Sequence, residues 1–294
     1  MFPFADTIPT KRWAVVTYIL VALNVVSLLW FMSLPPQQQE MVTAQWGFVP
    51  ARVAQVSDPH KIVDVQIGQQ QFLWWGQIVG VPRVVQLRAQ PQQIMLSAVT
   101  CMFLHGGWLH LIGNMIYLLL FGDNIEDKLG HALYAVFYFV GGLSATAAHW
   151  AMDPSSATPI IGASGAIAAV LGGYAVTYPH ARIKTLVILF LFVTVIELPA
   201  YVFLIFWFGM QLFSGLGALG GQMAGGVAWW AHVGGFIVGA VMMPLFSLAA
   251  PQEPPEVLDA DEDWNRRHGF GLESPDVSRR RPDSYDPRWP EGWD

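Results

Sequence analysis

Charge is what this sequence has least of. Asp, Glu, Lys and Arg make up 12% of its 294 residues, about half the share of an ordinary soluble domain. A chain so poor in charge, with 54% hydrophobic residues, cannot cover a water-facing surface. That excludes a soluble globular enzyme and identifies a multi-pass membrane protein whose solvent is the lipid bilayer. Cysteine is nearly absent. Cys101 is the single one, so no internal disulfide is possible, and a lone thiol in an apolar run reads as a small buried hydrophobe. No basic patch interleaved with aromatics occurs, which leaves nucleic acid out of the expected partners. The formal net charge of −6 is set largely by acidic residues in the tail.

Long apolar runs are what the chain does contain. The first, Trp13 to Leu34, follows a short N-terminal stretch (1–12) ending in Lys11-Arg12. It is long enough to cross a bilayer, and no small-x-small cleavage site precedes Pro35-Pro36, so an uncleaved anchor is expected rather than a signal peptide. Residues 35–96 form a long, mostly polar loop, in which Val63-Asp64-Val65-Gln66-Ile67 alternates like a strand. A second span runs from Met95 to Phe121, a polar turn from Gly122 to His131, a third span from Leu133 to Met152, and a fourth from about Ile160 to Tyr178. Ala200–Leu216 and Val227–Leu248 are the fifth and sixth. Between them lies a glycine-rich loop, Gly217–Gly226, and after them a charged, proline-containing tail, 251–294, expected to be disordered.

Basic residues decide orientation. Lys11, Arg12, Lys128, Arg182, Lys184 and the tail arginines are placed on the cytoplasmic side, with the loops at 153–159 and 217–226 opposite. Parity then allows one crossing, not two, between Arg182 and the sixth span. Thr185–Ile196, short and rich in β-branched residues, is assigned to the interface or to a re-entrant piece. The expected fold is an all-α membrane bundle of six helices spanning 13–250, with both termini cytoplasmic and 35–96 outside.

Two polar residues stand out in this apolar background. Ser164 sits among small residues in Gly162-Ala163-Ser164-Gly165, and His232 opens the last span in Ala231-His232-Val233-Gly234-Gly235. An ionisable side chain inside a membrane-length segment marks a functional site by default. Ser164, Ala168 and Gly172 share one helix face, and His232, Gly235 and Gly239 another. Small faces let helix backbones approach closely, close enough for an imidazole to take the serine proton. The alternative is two ordinary packing helices with an incidental Ser and His. On the second span His110 and Asn114 are i, i+4 and share a face, as donors to a developing oxyanion would, or as interhelical glue would. His105 stands at the junction leading into that span. A zinc site from His105 and His110 would lack the Glu and the spacing of H-E-x-x-H. Glu126 is expected to brace the turn after the second span, and Trp229 and Trp230 to anchor at the interface.

These residues resemble, in order and spacing, the motifs of the rhomboid intramembrane serine proteases. The resemblance covers Thr100 to Gly239. It rests on Phe103 to Met115 around His105, His110 and Asn114, on Phe121-Gly122 with Glu126 and Gly130, on Gly162-Ala163-Ser164-Gly165, and on Ala231 to Gly235 with Gly239. It implies Ser164 as nucleophile and His232 as general base, working as a dyad without an acidic third member. His110, Asn114 and the Ser164 backbone N–H would form the oxyanion hole. His105 would line a polar route for water, with Gly162, Gly165 and Gly235 supporting the site. It implies no metal and no cofactor, substrates that are transmembrane proteins, and a lateral gate at Ala200–Leu216. Two positions depart from the family pattern. Ala168 stands where many members carry an aromatic residue that stacks on the histidine, and Leu96-Ser97 stand where many have Trp-Arg. Competing readings are a non-catalytic relative that binds membrane clients and a small transporter, though no internal repeat is present. The first residues lack an Arg- and Ser-rich transit composition, so a bacterial plasma membrane is the expected location.

Overall fold

A computed structural model describes residues 2–74, 77–189, 192–219 and 228–250. The chain opens with a strand, β1 (Phe2–Asp6), and a long apolar helix, α1 (Val15–Ser33). Two short helices, α2 (Pro36–Trp46) and α3 (Ala54–Ser57), lead to a hairpin of β2 (Val63–Trp74) and β3 (Gln77–Leu87). Then come α4 (Pro91–Thr100), α5 (Trp108–Leu129), α6 (His131–Met152) and α7 (Ser164–Thr177). A second hairpin, β4 (Arg182–Leu189) and β5 (Phe192–Pro199), precedes α8 (Ala200–Leu219) and α9 (Trp229–Ala249).

The molecule is mostly helical, but not all α. Two small antiparallel sheets interrupt the bundle, one ordered β1-β4-β5 and one made of β2 and β3. The β-branched run 185–196, read from sequence as interfacial or re-entrant, lies largely in β4 and β5. Its β-branched residues suit a pleated surface, and β1 completes the sheet by pairing Phe2 with Leu186 and Asp6 with Ile183. The first residues are therefore built into the fold. The 35–96 segment is no featureless loop either. It holds α2, α3, most of α4 and the β2–β3 hairpin, which contains the strand expected at 63–67.

Among the described residues, four helices are long and apolar enough to cross a membrane: α1, α6, α8 (through Gly217) and α9. The α4 segment and α5 form a bent pair, broken by 79°, that makes a fifth candidate. The remaining expected span, α7, has 14 residues, shorter than the roughly 20 of a full crossing. The expected polar turn at 122–131 is a correction. α5 continues through it to Leu129 and stops at Gly130, whose φ of 76° ends the helix. The glycine-rich loop is also shorter than read, since α8 runs to Leu219; residues 220–226, Trp75 and the tail 251–294 lie outside the described residues.

On α1, buried Leu20, Asn24, Leu28 and Phe31 recur at helical spacing. Its Ile19, Leu23, Val26 and Leu29 are exposed, as side chains in contact with lipid are. In the core, Phe121 of α5 meets Tyr174 of α7 edge-on at 4.9 Å and stacks on Phe203 of α8 at 6.3 Å. Among the described residues, Lys11, Arg12, Lys128, Arg182 and Lys184, used to orient the chain, gather at one end of the bundle. There the Lys11 and Arg12 N–H groups donate to Asp127, and Lys184 pairs in register with Ala5. The starts of α5, α7 and α9, where His110, Ser164 and His232 lie, are at the other end.

Candidate active site

The approach to Ser164 is tied to the first half of the chain. Phe48 and Ile160 form a bridge with both backbone hydrogen bonds, and Ala51 N–H donates to the Ser156 carbonyl. Gly162 N–H then donates to the Cys101 carbonyl at 2.8 Å. Gly162 has a φ of 120°, which L side chains rarely adopt. A Cβ there would also lie 2.7 Å from His110 Nε2 and 3.5 Å from Asn114 Nδ2. Glycine thus serves twice, turning the chain into α7 and leaving room beside two donors. Ser164 is the first residue of α7, and no side chain caps that helix. Its leading N–H groups are available, as at any uncapped helix start.

Glycines on the facing helices bring α9 to α7. A Cβ on Gly235 would strike the Gly165 carbonyl and sit 3.2 Å from Ala168 Cβ. One on Gly239 would strike the backbone of Ala169, and one on Gly172 the backbone of Phe236. The small faces expected from spacing are the faces that meet. The result is a hydrogen bond of 2.7 Å between Ser164 Oγ and His232 Nε2.

His232 is held on its other side as well. Its Nδ1 is 2.8 Å from Oε1 of Gln211 on α8. Trp207 of α8 lies beside the ring at 6.1 Å, tilted by 37°, and Trp229 meets it edge-on at 6.2 Å. Trp229 therefore contacts the site, beyond the interface role expected for it. Gln211 is a site residue that the sequence reading misses. Its signal is present nonetheless, as the single amide side chain between Ala200 and Leu219, seven residues after buried Leu204 and so on the same helix face.

His110 and Asn114 line the same cavity as Ser164, His232 and Gln211, with a volume of about 450 Å³. His110 Nδ1 accepts from the Gly106 N–H at 3.4 Å, which leaves its proton on Nε2, the nitrogen facing Gly162. Asn114 Nδ2 is 2.9 Å from His105 Nε2, so one amide hydrogen is engaged there and the second is left for a ligand. His105 is fully buried, and its ring meets that of His110 edge-on at 5.0 Å. It is not among the residues that line the cavity, where a water route was expected to include it, and it meets the site through Asn114 and His110. Among the described residues no carboxylate lines the cavity, and no group of three or more His, Cys, Asp or Glu side chains could hold a metal ion.

Glu126 does more than brace a turn. It is buried, accepts from the Val16 and Thr17 N–H groups and from Thr17 Oγ1, and contacts His131.

What the fold and the cavity define is a helical, multi-pass membrane protein in which a half-buried serine is hydrogen-bonded to a buried histidine. Comparison with known proteins names the family. The model of the Rhomboid domain matches residues 92–249, more than half of the chain, and the chain belongs to the rhomboid family. It is similar to three proteins of Arabidopsis thaliana. With RHOMBOID-like protein 5 it shares 35% identity over 74 residues, 25% of this chain and 24% of that protein. With Rhomboid-like protein 11, chloroplastic, the figures are 35% over 69 residues, 24% of each. With RHOMBOID-like protein 4 they are 29% over 150 residues, 49% of this chain and 32% of that protein. The chain thus spans a quarter to a third of the length of these curated relatives.

Proposed function

We propose that this chain is an intramembrane serine endopeptidase that cleaves peptide bonds in or near the transmembrane segments of other membrane proteins. The observation that carries this reading is the 2.7 Å hydrogen bond between Ser164 Oγ and His232 Nε2, a distance suited to proton removal. Ser164 Oγ attacks the scissile carbonyl carbon while His232 Nε2 takes its proton. The oxyanion is held by His110 Nε2–H, the second Asn114 amide hydrogen and the Ser164 backbone N–H. Collapse breaks the C–N bond, and His232 returns the proton to the leaving amine. Water then attacks the acyl carbon, losing its proton to His232; the C–Oγ bond breaks, His232 returns the proton to Ser164 Oγ, and the carboxylic acid product leaves. None of these steps calls on a cofactor.

In this reading residues 13–250 make six membrane-associated helices, with α7 as a short, largely protein-enclosed member. Both termini lie on the cytoplasmic side, the 251–294 tail among them. The clustering of Lys11, Arg12 and Lys184 at one end supports that orientation. The catalytic end then faces outward, where water can reach it. A substrate helix must unwind locally to present a carbonyl, so small, helix-destabilising residues near the cut are favoured. The matched relatives are plant proteins and lend no support to a bacterial plasma membrane. The proposal is accordingly limited to a multi-pass membrane protein.

The test is cleavage of a model single-span substrate in detergent by the wild type, Ser164→Ala and His232→Ala, with a serine-directed fluorophosphonate probe in parallel. Product and Ser164 labelling in the wild type alone support the dyad. Equal cleavage by all three assigns the activity to a contaminant. A folded wild type that neither cleaves nor takes the probe favours a client-binding relative.

A further inference from the structure

We propose that Gln211 is the positioning residue of the catalytic base, a neutral third member that sets the tautomer of His232 from α8. This deepens the protease reading and rests on it. For His232 Nε2 to accept the Ser164 proton it must be bare, so the ring proton must sit on Nδ1. A buried Nδ1–H with no acceptor would favour neither that tautomer nor that ring pose. Among the described residues no carboxylate lines the cavity to do this work. The Gln211 carbonyl oxygen, 2.8 Å from Nδ1, supplies the acceptor, and both side chains are buried.

The arrangement also explains how the ring is held although residue 168 is an alanine. Trp207, one helical turn before Gln211, lies against the ring, and Trp229 closes its edge. The other face of α8 is apolar and turned outward, with Tyr201, Ile205, Phe206 and Phe213 exposed. An amide on such a helix is costly in hydrocarbon unless it finds a partner, and the partner here is the base itself. Only the oxygen of the amide selects the productive tautomer. Turned over, the NH₂ group would donate to Nδ1 and drive the proton onto Nε2, where it blocks the serine. Glutamate, with oxygen at both positions, keeps the function, whereas leucine and methionine abolish it while keeping the bulk.

The experiment compares wild type, Gln211→Leu, Gln211→Met and Gln211→Glu in detergent. It reads cleavage of a single-span substrate, the rate of fluorophosphonate labelling at Ser164, thermal unfolding, and the ¹⁵N signals of labelled histidine, with His232 assigned from His232→Ala. The Leu and Met variants are expected to fold and to lose about tenfold in kcat and in labelling rate, the worth of one neutral hydrogen bond, with KM little changed. Their His232 signals move from the Nδ1–H tautomer to a mixture. The Glu variant recovers both rate and tautomer. Unchanged labelling and an unchanged tautomer in Leu and Met overturn the proposal, as does a Glu variant as slow as Leu. If the wild type itself takes no label, it is the protease reading that falls, and the ¹⁵N signature still decides whether Gln211 sets the tautomer.

Discussion

The carboxylate of Glu126, on α5, closes the N-terminus of α1. Its two oxygens accept from the Val16 and Thr17 N–H groups at 2.8 Å each and from Thr17 Oγ1 at 2.7 Å. α1 has no side-chain cap of its own, so its orphan N–H groups are satisfied from a helix 109 residues further along the chain. Hydrogen bonds to a charged group contribute about 1.5–3 kcal/mol each, and not additively. Glu126→Ala is therefore expected to lower stability by about 2–4 kcal/mol, read by chemical unfolding in detergent. The folded fraction should still label at Ser164 at the wild-type rate, because the cap lies at the other end of the bundle. A slower labelling rate in folded protein would mean that this end communicates with the site.

The same carboxylate explains where the sequence misleads. Asp123, Asn124, Glu126 and Asp127 break the apolar period and look like a turn, yet α5 runs through them. Three of these find partners at the start of the chain: Asp6 for Asn124, Thr17 for Glu126, and the Lys11 and Arg12 N–H groups for Asp127. Local pattern cannot see contacts separated by more than a hundred residues. The β1–β4 pairing is hidden for the same reason, although the β-branched run in β4 and β5 is visible. The helix runs are legible because membrane-length apolar segments have few other uses, and the Ser164 and His232 faces because small residues recur at helical spacing. Gln211 shows in the sequence only as the single amide of its apolar run. Only the fold turns that single amide toward an imidazole.

The approach of α7 and α9 rests on glycine. A methyl group on Gly239 would strike the Ala169 backbone, which cannot rotate aside as a side chain can. Gly239→Ala should force the helices apart, cost about 1–3 kcal/mol and slow Ser164 labelling by lengthening the Ser164–His232 hydrogen bond. Gly209→Ala is the control. Among the described residues nothing lies within 4 Å of a Cβ there, and exchanging a mid-helix glycine for alanine should be neutral or stabilising by about 0.5–1 kcal/mol. Equal damage from both substitutions would remove the packing explanation.

His110 and Asn114 are expected to act on the transition state rather than on binding. His110→Ala or Asn114→Ala should each lower kcat by about 10²–10³ with KM nearly unchanged. His105→Ala should have a smaller effect of the same kind, because it holds Asn114 through the 2.9 Å contact without touching substrate. Gly162→Ala should match the donor variants in kcat even though both donors are present. Its φ of 120° resists a side chain, and the added methyl would press on His110 Nε2. Steady-state kinetics on one substrate across the four variants checks this. A rise in KM alone would reassign His110 and Asn114 to substrate binding.

Ala168 gives the sharpest contrast with relatives that carry an aromatic residue at this place. It is fully buried, and Gly235 faces it across the α7–α9 contact. A phenylalanine ring has no room between those backbones, and the space beside His232 that it would seek is already held by Trp207 and Trp229. Ala168→Phe should therefore overpack the interface, cost about 1–3 kcal/mol and reduce rather than raise activity. Trp207→Leu removes one of the two rings from the other side. It should loosen the imidazole and lower kcat without disturbing the α7–α9 contact. The double variant decides between the two ways of holding the base. If the introduced phenylalanine can take over from Trp207, the pair will be more active than the sum of the single losses allows, a coupling that a double-mutant cycle measures directly. If the ring is held from α8 alone, the losses will add or compound, and Gln211 with Trp207 will stand as this chain's own way of orienting an imidazole that has no carboxylate beside it among the described residues.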